Sequence, residues 1–124
     1  MCKILLSINP KHVEKIFSGI KKYEYRKTIF KRKNIEKILI YSTHPIKMIV
    51  GEANIEEIII DEPHIVWEIT KDFAGINREF FEDYFKGRKK AIAYKLRDIR
   101  KYNTPIELKT LGVDFAPQSF IYID

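Results

Sequence analysis

One cysteine in 124 residues, Cys2, has no partner for an internal disulfide, so a disulfide-stapled secreted scaffold is excluded. A reducing, cytoplasmic setting is expected. Five glycines and five prolines are too few for a collagen-like or low-complexity chain, and no repeat or Ser/Gly linker divides the sequence. Long hydrophobic runs are missing too. Ile4-Leu5-Leu6 is too short for a signal-peptide core, and Ile58-Ile59-Ile60 falls far below the ~20 residues of a membrane span. His12, His44 and His64 have neither helical i, i+4 spacing nor cysteine companions, so no metal site is expected. No phosphate-cradling glycine loop or nucleophile elbow is found, and the sequence points to no cofactor.

What is present suits one folded unit over residues 1–124. Hydrophobic residues make up 45%, enough for a real core. Twenty-three Lys and Arg against seventeen Asp and Glu leave a net charge of +6, which favours a polyanion or an acidic small molecule as partner. No basic amphipathic helix invites a membrane.

The periodicities alternate between strand and helix. Lys3 to Ile8 reads as a buried strand, and Asn9-Pro10 caps a helix carrying Val13, Ile16, Phe17 and Ile20, stopped at Gly19. Tyr23 to Ile29 alternates at period two, with Tyr23 and Tyr25 on one face and Glu24, Arg26 and Thr28 on the other. Glu36 to Ser42 is a buried strand. Lys47 to Ile60 reads as a long strand with a bulge or tight bend at Gly51, or as a two-strand hairpin. Helices follow from Pro63 to about Phe73 and from Asn77 to Gly87, the latter with Phe80, Phe81, Tyr84 and Phe85 as an aromatic face. Ala91 to Leu96 is a strand, Thr104-Pro105-Ile106-Glu107 predicts a capped short helix, and Ser119 to Ile123 closes as a strand. Five or six strands with three or four short peripheral helices make an α+β protein, a small curved sheet or barrel.

Chemistry concentrates after the first helix. Seven of the thirteen residues from Lys21 to Lys33 are basic, interleaved with Tyr23, Tyr25 and Phe30. Cations attract phosphate and aromatic rings stack on bases, so the mixture suits single-stranded nucleic acid or a nucleotide. A solvated loop with its tyrosines in the core explains the same pattern. Glu24 and Arg26 share a strand face, with Lys21 just upstream. A carboxylate between cations orients a lysine or accepts from a base edge, and makes a poor general acid. A desolvated Lys21 would serve as a base; an exposed ion-pair ladder is the plainer alternative.

Three segments carry a resemblance: Leu5-Leu6-Ser7-Ile8-Asn9-Pro10, the pattern Gly19-x-Lys21-x-x-Glu24-x-Arg26, and Pro117-Gln118-Ser119-Phe120. Together they resemble the ASCH domain family of the PUA-like superfamily, along nearly the whole chain. The resemblance implies a small mixed PUA-like β-barrel with a cleft holding Lys21, Glu24 and Arg26 beside the first helix, and Gln118 and Ser119 nearby. It implies RNA or a nucleotide-like ligand as the partner. It also implies possible enzymes, a ribonuclease or an N4-acetylcytidine amidohydrolase, with Lys21 and Glu24 catalytic. In the amidohydrolases a nucleophilic threonine stands where this chain has Glu24, and a carboxylate does not replace a hydroxyl in acyl transfer.

Other candidates are less specific. Ser42 and Thr43 follow a strand and can line a barrel mouth or simply make the turn. Glu52 can face the cleft or water. Arg88-Lys89-Lys90 with Lys95, Arg97, Arg100 and Lys101 form a second basic set. The aromatic helix can serve a protein partner if its rings are exposed, and Trp67 is expected in the core.

Overall fold

Strict alternation in β1 (Lys3–Ile8) determines how the centre of the molecule is covered. Ile4, Leu6 and Ile8 pack with Val13 and Ile16 of α1 (Pro10–Ser18), whereas Leu5 points to the opposite face, against Leu39, Tyr41 and Ile49. A strand buried on both faces belongs in a sheet interior. A computed structural model describing residues 2–124 places it there. The sheet has six strands in the order β2-β5-β4-β3-β1-β6, curled into a half-barrel. These are β2 (Tyr23–Arg26), β3 (Lys37–Ser42), β4 (Met48–Asp61), β5 (Ala91–Ile106) and β6 (Phe120–Ile123). β1 and β3 run parallel, and the other neighbours are antiparallel.

Asn9 caps α1 by accepting from the Lys11 N–H at 2.9 Å, and Pro10 occupies the first turn, where no donor is missed. Gly19 ends the helix at φ +85°, in the left-handed region glycine adopts without penalty. Two more helices, α2 (Pro63–Thr70) and α3 (Arg78–Tyr84), lie over the β2–β5 side. There Val66, Phe81 and Phe85 close on Tyr23, Tyr25, Ala91 and Ala93, with Trp67 packed against them.

Three expectations need correction. β2 stops at Arg26, and Thr28 is exposed in a bend. The reason is its partner: Arg26 pairs with Ile92, and β5 begins at Ala91. β5 itself runs ten residues past the expected end at Leu96, through Thr104-Pro105, so no capped helix forms there. Pairing with β4 as far as Ile49↔Ile106 outweighs the local capping preference, and Pro105 falls where the ladder register shifts. The helical turn is displaced to Leu108–Leu111 and is a short 3₁₀ turn. The expected irregularity at Gly51 is present, because Ile40 pairs with Gly51 and Tyr41 with Ile49, leaving Val50 as the extra residue. A Cβ on Gly51 would lie 2.5 Å from the Arg100 carbonyl and 2.7 Å from the Phe17 ring, so only glycine fits. Among the described residues no helix is long and apolar enough to cross a membrane.

Candidate functional site

The helix α1, strand β2 and helix α3 meet around a cleft of about 170 Å³. Its floor is built by alternation in β2. Because Tyr23 and Tyr25 turn toward α2 and α3, Glu24 and Arg26 turn the other way, and Lys21 enters from the link after α1. Among the described residues, Lys21 and Glu24 are the buried charged side chains, 1% and 6% exposed. Both line the cleft with Arg26.

The three groups form one network. Arg26 Nη2 donates to Glu24 Oε2 at 2.7 Å and to the Ser7 carbonyl at 2.8 Å, which fixes the guanidinium. Lys21 Nζ donates to the Ala74 carbonyl at 2.7 Å and sits 4.7 Å from the Tyr25 ring centroid. Its distance to Glu24 Oε1 is 3.9 Å, an ion pair beyond hydrogen-bonding range. A lysine has three donors, so this buried ammonium is only partly satisfied. Two cations against one carboxylate leave the floor net positive.

A loop seals Lys21 from the far side. Gly75 takes φ +70°, and a Cβ there would come within 2.6 Å of the Lys21 Cβ. Only glycine lets the backbone lie this close. The Gly75 carbonyl also accepts from Lys15 Nζ at 2.8 Å, bringing another cation near. Burial pushes Lys21 down to about 8, Glu24 opposes the shift, and Lys15 and Arg26 add to it. His12, on the cleft wall, is also lowered, first by burial and then by Lys21.

Unmet polar demand gathers at the same place. Among the described residues, the buried side-chain atoms without a hydrogen-bond partner are His12 Nδ1, Arg26 Nε and the Tyr94 hydroxyl. His12 and Arg26 line the cleft, and Tyr94 pairs across the sheet with Glu24. Native interiors leave few such atoms, and those that remain usually mark unplaced water, an ion or a functional site.

The other expected site residues are placed differently. Gly19 shapes the turn into Lys21 but is exposed and does not line the cleft. Ser42 is buried, and the Thr43 N–H donates to the Ile8 carbonyl at 3.1 Å; neither lines the cleft. Gln118 is exposed. Ser119 adjoins the site through backbone, its carbonyl accepting from the Ser7 N–H at 3.2 Å, while Ser7 Oγ donates to the Pro117 carbonyl at 2.6 Å. Thr28 is not among the lining residues and brings no hydroxyl to the floor. Glu52 lies elsewhere, paired with Lys37 at 2.6 Å and accepting from Tyr102 at 2.8 Å. Sequence reasoning missed His12, Ser7, Ile76 and the Ala74–Gly75 loop. The one available signal was Gly75, which reads equally well as a helix stop.

Comparison with known proteins places the fold. The sequence matches the family described as Domain of unknown function (DUF365) over residues 2–115. An ASCH domain-containing ribonuclease of Zymomonas mobilis is 33% identical over 116 residues, spanning 91% of this chain and 78% of that protein. The crystal structure of ASCH from Zymomonas mobilis is similar with a TM-score of 0.89 at 30% identity, over 98% of this chain and 87% of that one. The N-terminal domain of Staphylothermus marinus McrB shares the fold alone, at 15% identity and a TM-score of 0.52 over 88% of this chain and 78% of that one. With its six-stranded curled sheet, its three helices and these matches, the chain belongs to the ASCH domain family of PUA-like folds and to the family described as DUF365.

Proposed function

We propose that the cleft binds RNA, with Lys21 and Arg26 receiving a phosphate or another anionic oxygen and Glu24 holding the two cations in place. One observation carries this reading: a net-positive trio, with Lys21 and Glu24 buried, lies at the floor of a cleft and is only partly satisfied by the protein around it. A volume of about 170 Å³ is below the ~300–1,000 Å³ of a drug-sized pocket. It suits one base or one phosphate group of a longer chain, with the remainder outside the cleft. The ribonuclease name of the 33%-identical relative supports RNA over other polyanions. Fluorescence anisotropy with a short single-stranded RNA tests it. Affinity falls steeply with salt, because each phosphate contact releases counterions, and Arg26→Met weakens binding. Binding that is indifferent to both salt and Arg26→Met rejects the proposal.

A second reading, favoured by the same relative and by the low position of Lys21, is phosphodiester cleavage. With Lys21 at about 8, part of the population holds a neutral amine near neutral pH. That amine takes the proton of the 2′-hydroxyl, the 2′-oxygen bonds to phosphorus, and the bond to the 5′-oxygen breaks. The departing oxygen regains the proton from Lys21, leaving a cyclic phosphate. Arg26 bears the charge that develops on the phosphoryl oxygens. Cleavage of an oligoribonucleotide, abolished when the attacking 2′-hydroxyl is replaced by hydrogen and lost in Lys21→Met, is the expected result. Intact RNA after prolonged incubation leaves binding alone.

A further inference from the structure

The aromatic helix α3 divides into two faces with different surroundings. Phe81 and Phe85 are 1% and 2% exposed and belong to the core beneath α2. Phe80 and Tyr84, also four residues apart, both line the cleft. Phe80 is 49% exposed, a large apolar ring left open beside a site whose floor is charged. Its orientation is set, since His12 meets it edge-on with centroids 5.7 Å apart and planes at 79°. With that contact made, about half of Phe80 is still exposed, so part of the ring stays open at the cleft. Tyr84 is anchored differently. Its hydroxyl donates to the Tyr25 carbonyl at 3.4 Å, Phe85 packs against it, and the Lys27 ammonium lies 4.7 Å from its ring centroid. A half-exposed aromatic ring and a cationic floor thus share one cleft, and the Lys27 cation lies over the ring of its Tyr84 wall.

From this juxtaposition we propose that Phe80 is a stacking platform for an unpaired base, so that the RNA taken by the cleft is single-stranded. The inference rests on the RNA reading above and narrows its substrate class. Every base offers a π-face to an aromatic ring, but a duplex hides both faces of each base within its own stack. Lys27, beside Tyr84, and Arg26 on the floor supply the charge that the adjoining phosphates require. The neighbouring Tyr84, with its carbonyl partner and its cation, forms a side wall. A protein partner on this face would call for a broader apolar patch, and Phe81 and Phe85 are withdrawn into the core.

The test is binding of a short single-stranded oligoribonucleotide carrying one 2-aminopurine, whose fluorescence is quenched on stacking. The parent protein quenches it on binding. Phe80→Ala loses roughly 10- to 100-fold in affinity, the range of one base–aromatic stack, and most of the quenching. Phe80→Trp retains both, which a role in folding alone would not predict. A fully paired duplex of the same sequence binds far more weakly than the single strand. Phe80 is exposed, so its truncation opens no core cavity, and an unchanged melting temperature verifies this. If Phe80→Ala binds and quenches as the parent does, or if the duplex competes equally, the stacking proposal falls. In that case salt-dependent binding that is still weakened by Arg26→Met leaves the RNA reading standing. If the parent binds no RNA at any salt concentration, both fall together.

Discussion

Two carboxylates in this molecule, Glu24 and Glu52, are each set among cations, and their surroundings lead to opposite conclusions. Glu52 is served from both sides, by Lys37 at 2.6 Å and by the Tyr102 hydroxyl at 2.8 Å, on the far part of the sheet near Arg100. Hydrogen bonding from Lys37 holds its carboxyl below the usual range, and its partners retain contact with water. Glu24 has Arg26 at 2.7 Å but Lys21 only at 3.9 Å, in a setting where Lys21 is almost wholly buried. Unpartnered buried atoms surround Glu24, and none of those atoms belongs to the Glu52 group. A carboxylate–cation cluster signals function less by its composition than by whether the protein satisfies it. The Glu52 cluster is a completed cross-strand brace. The Glu24 cluster is held together but unfinished.

The largest expected difference between the two is in stability. Glu24→Gln leaves two cations uncompensated in the interior and is expected to cost roughly 3–5 kcal/mol, whereas Glu52→Gln is expected to cost about 1 kcal/mol. Urea unfolding of the two variants reads the contrast, and equal losses would erase it. Next is the pH dependence of Lys21. Its folded value near 8 lies below the 10.5 of an ordinary lysine, so over that interval the unfolded chain holds more protons than the folded one. Stability therefore rises with pH from about 8 to above 10, by on the order of 3 kcal/mol, relative to a Lys21→Met control. Below about pH 8 both states are protonated, and the burial penalty is fully expressed. Unfolding curves at pH 7, 9 and 10.5 for the parent and that control measure the slope, and parallel curves would refute it.

Ligand binding should separate the clusters by a somewhat smaller factor. Arg26→Met or Lys21→Met is expected to reduce RNA affinity roughly 10- to 100-fold, while Lys37→Met changes it less than about threefold. Raising the pH through 8 should weaken binding in the parent, as Lys21 loses its charge, but not in Lys21→Met. The smallest effect is expected with N4-acetylcytidine. Deacetylation should not exceed that of a Lys21→Ala control, because neither Glu24 nor the exposed Thr28 supplies a nucleophilic hydroxyl to the cleft floor. The Ser7 hydroxyl lines the cleft but donates to the Pro117 carbonyl, and measurable turnover lost in Ser7→Ala would assign it the nucleophile's role.

Local pattern alone carried much of the architecture. Asn9-Pro10 and Gly19 bracket α1, the alternation Tyr23-Glu24-Tyr25-Arg26 sorts aromatic from charged side chains, and Gly51 marks the ladder irregularity. These depend on capping, pleat and glycine geometry, all of which act over a few neighbouring residues. Where the sequence reading overran, a distant partner decided. β2 ends because β5 begins only one residue beyond Arg26's partner Ile92, and Thr104-Pro105 stays extended because β4 is there to be paired.

The candidate site divides along the same line. The motif from Gly19 to Arg26 identified Lys21, Glu24 and Arg26 by residue type and spacing, and strand alternation alone put Glu24 and Arg26 on one face. Nothing in that spacing could reveal that Ala74 and Gly75 close over Lys21, that His12 and Phe80 form a wall, or that Ser42, Thr43 and Gln118 stay outside the cleft. Those facts depend on residues far apart in the chain, fifty-three positions in the Lys21–Ala74 bond. Residue chemistry and short-range periodicity are properties of neighbouring positions, so the sequence by itself determined the elements and the charged trio. Burial is a property of whatever packs from elsewhere in the chain, and burial turned an ordinary run of cations into a partly satisfied, net-positive cleft.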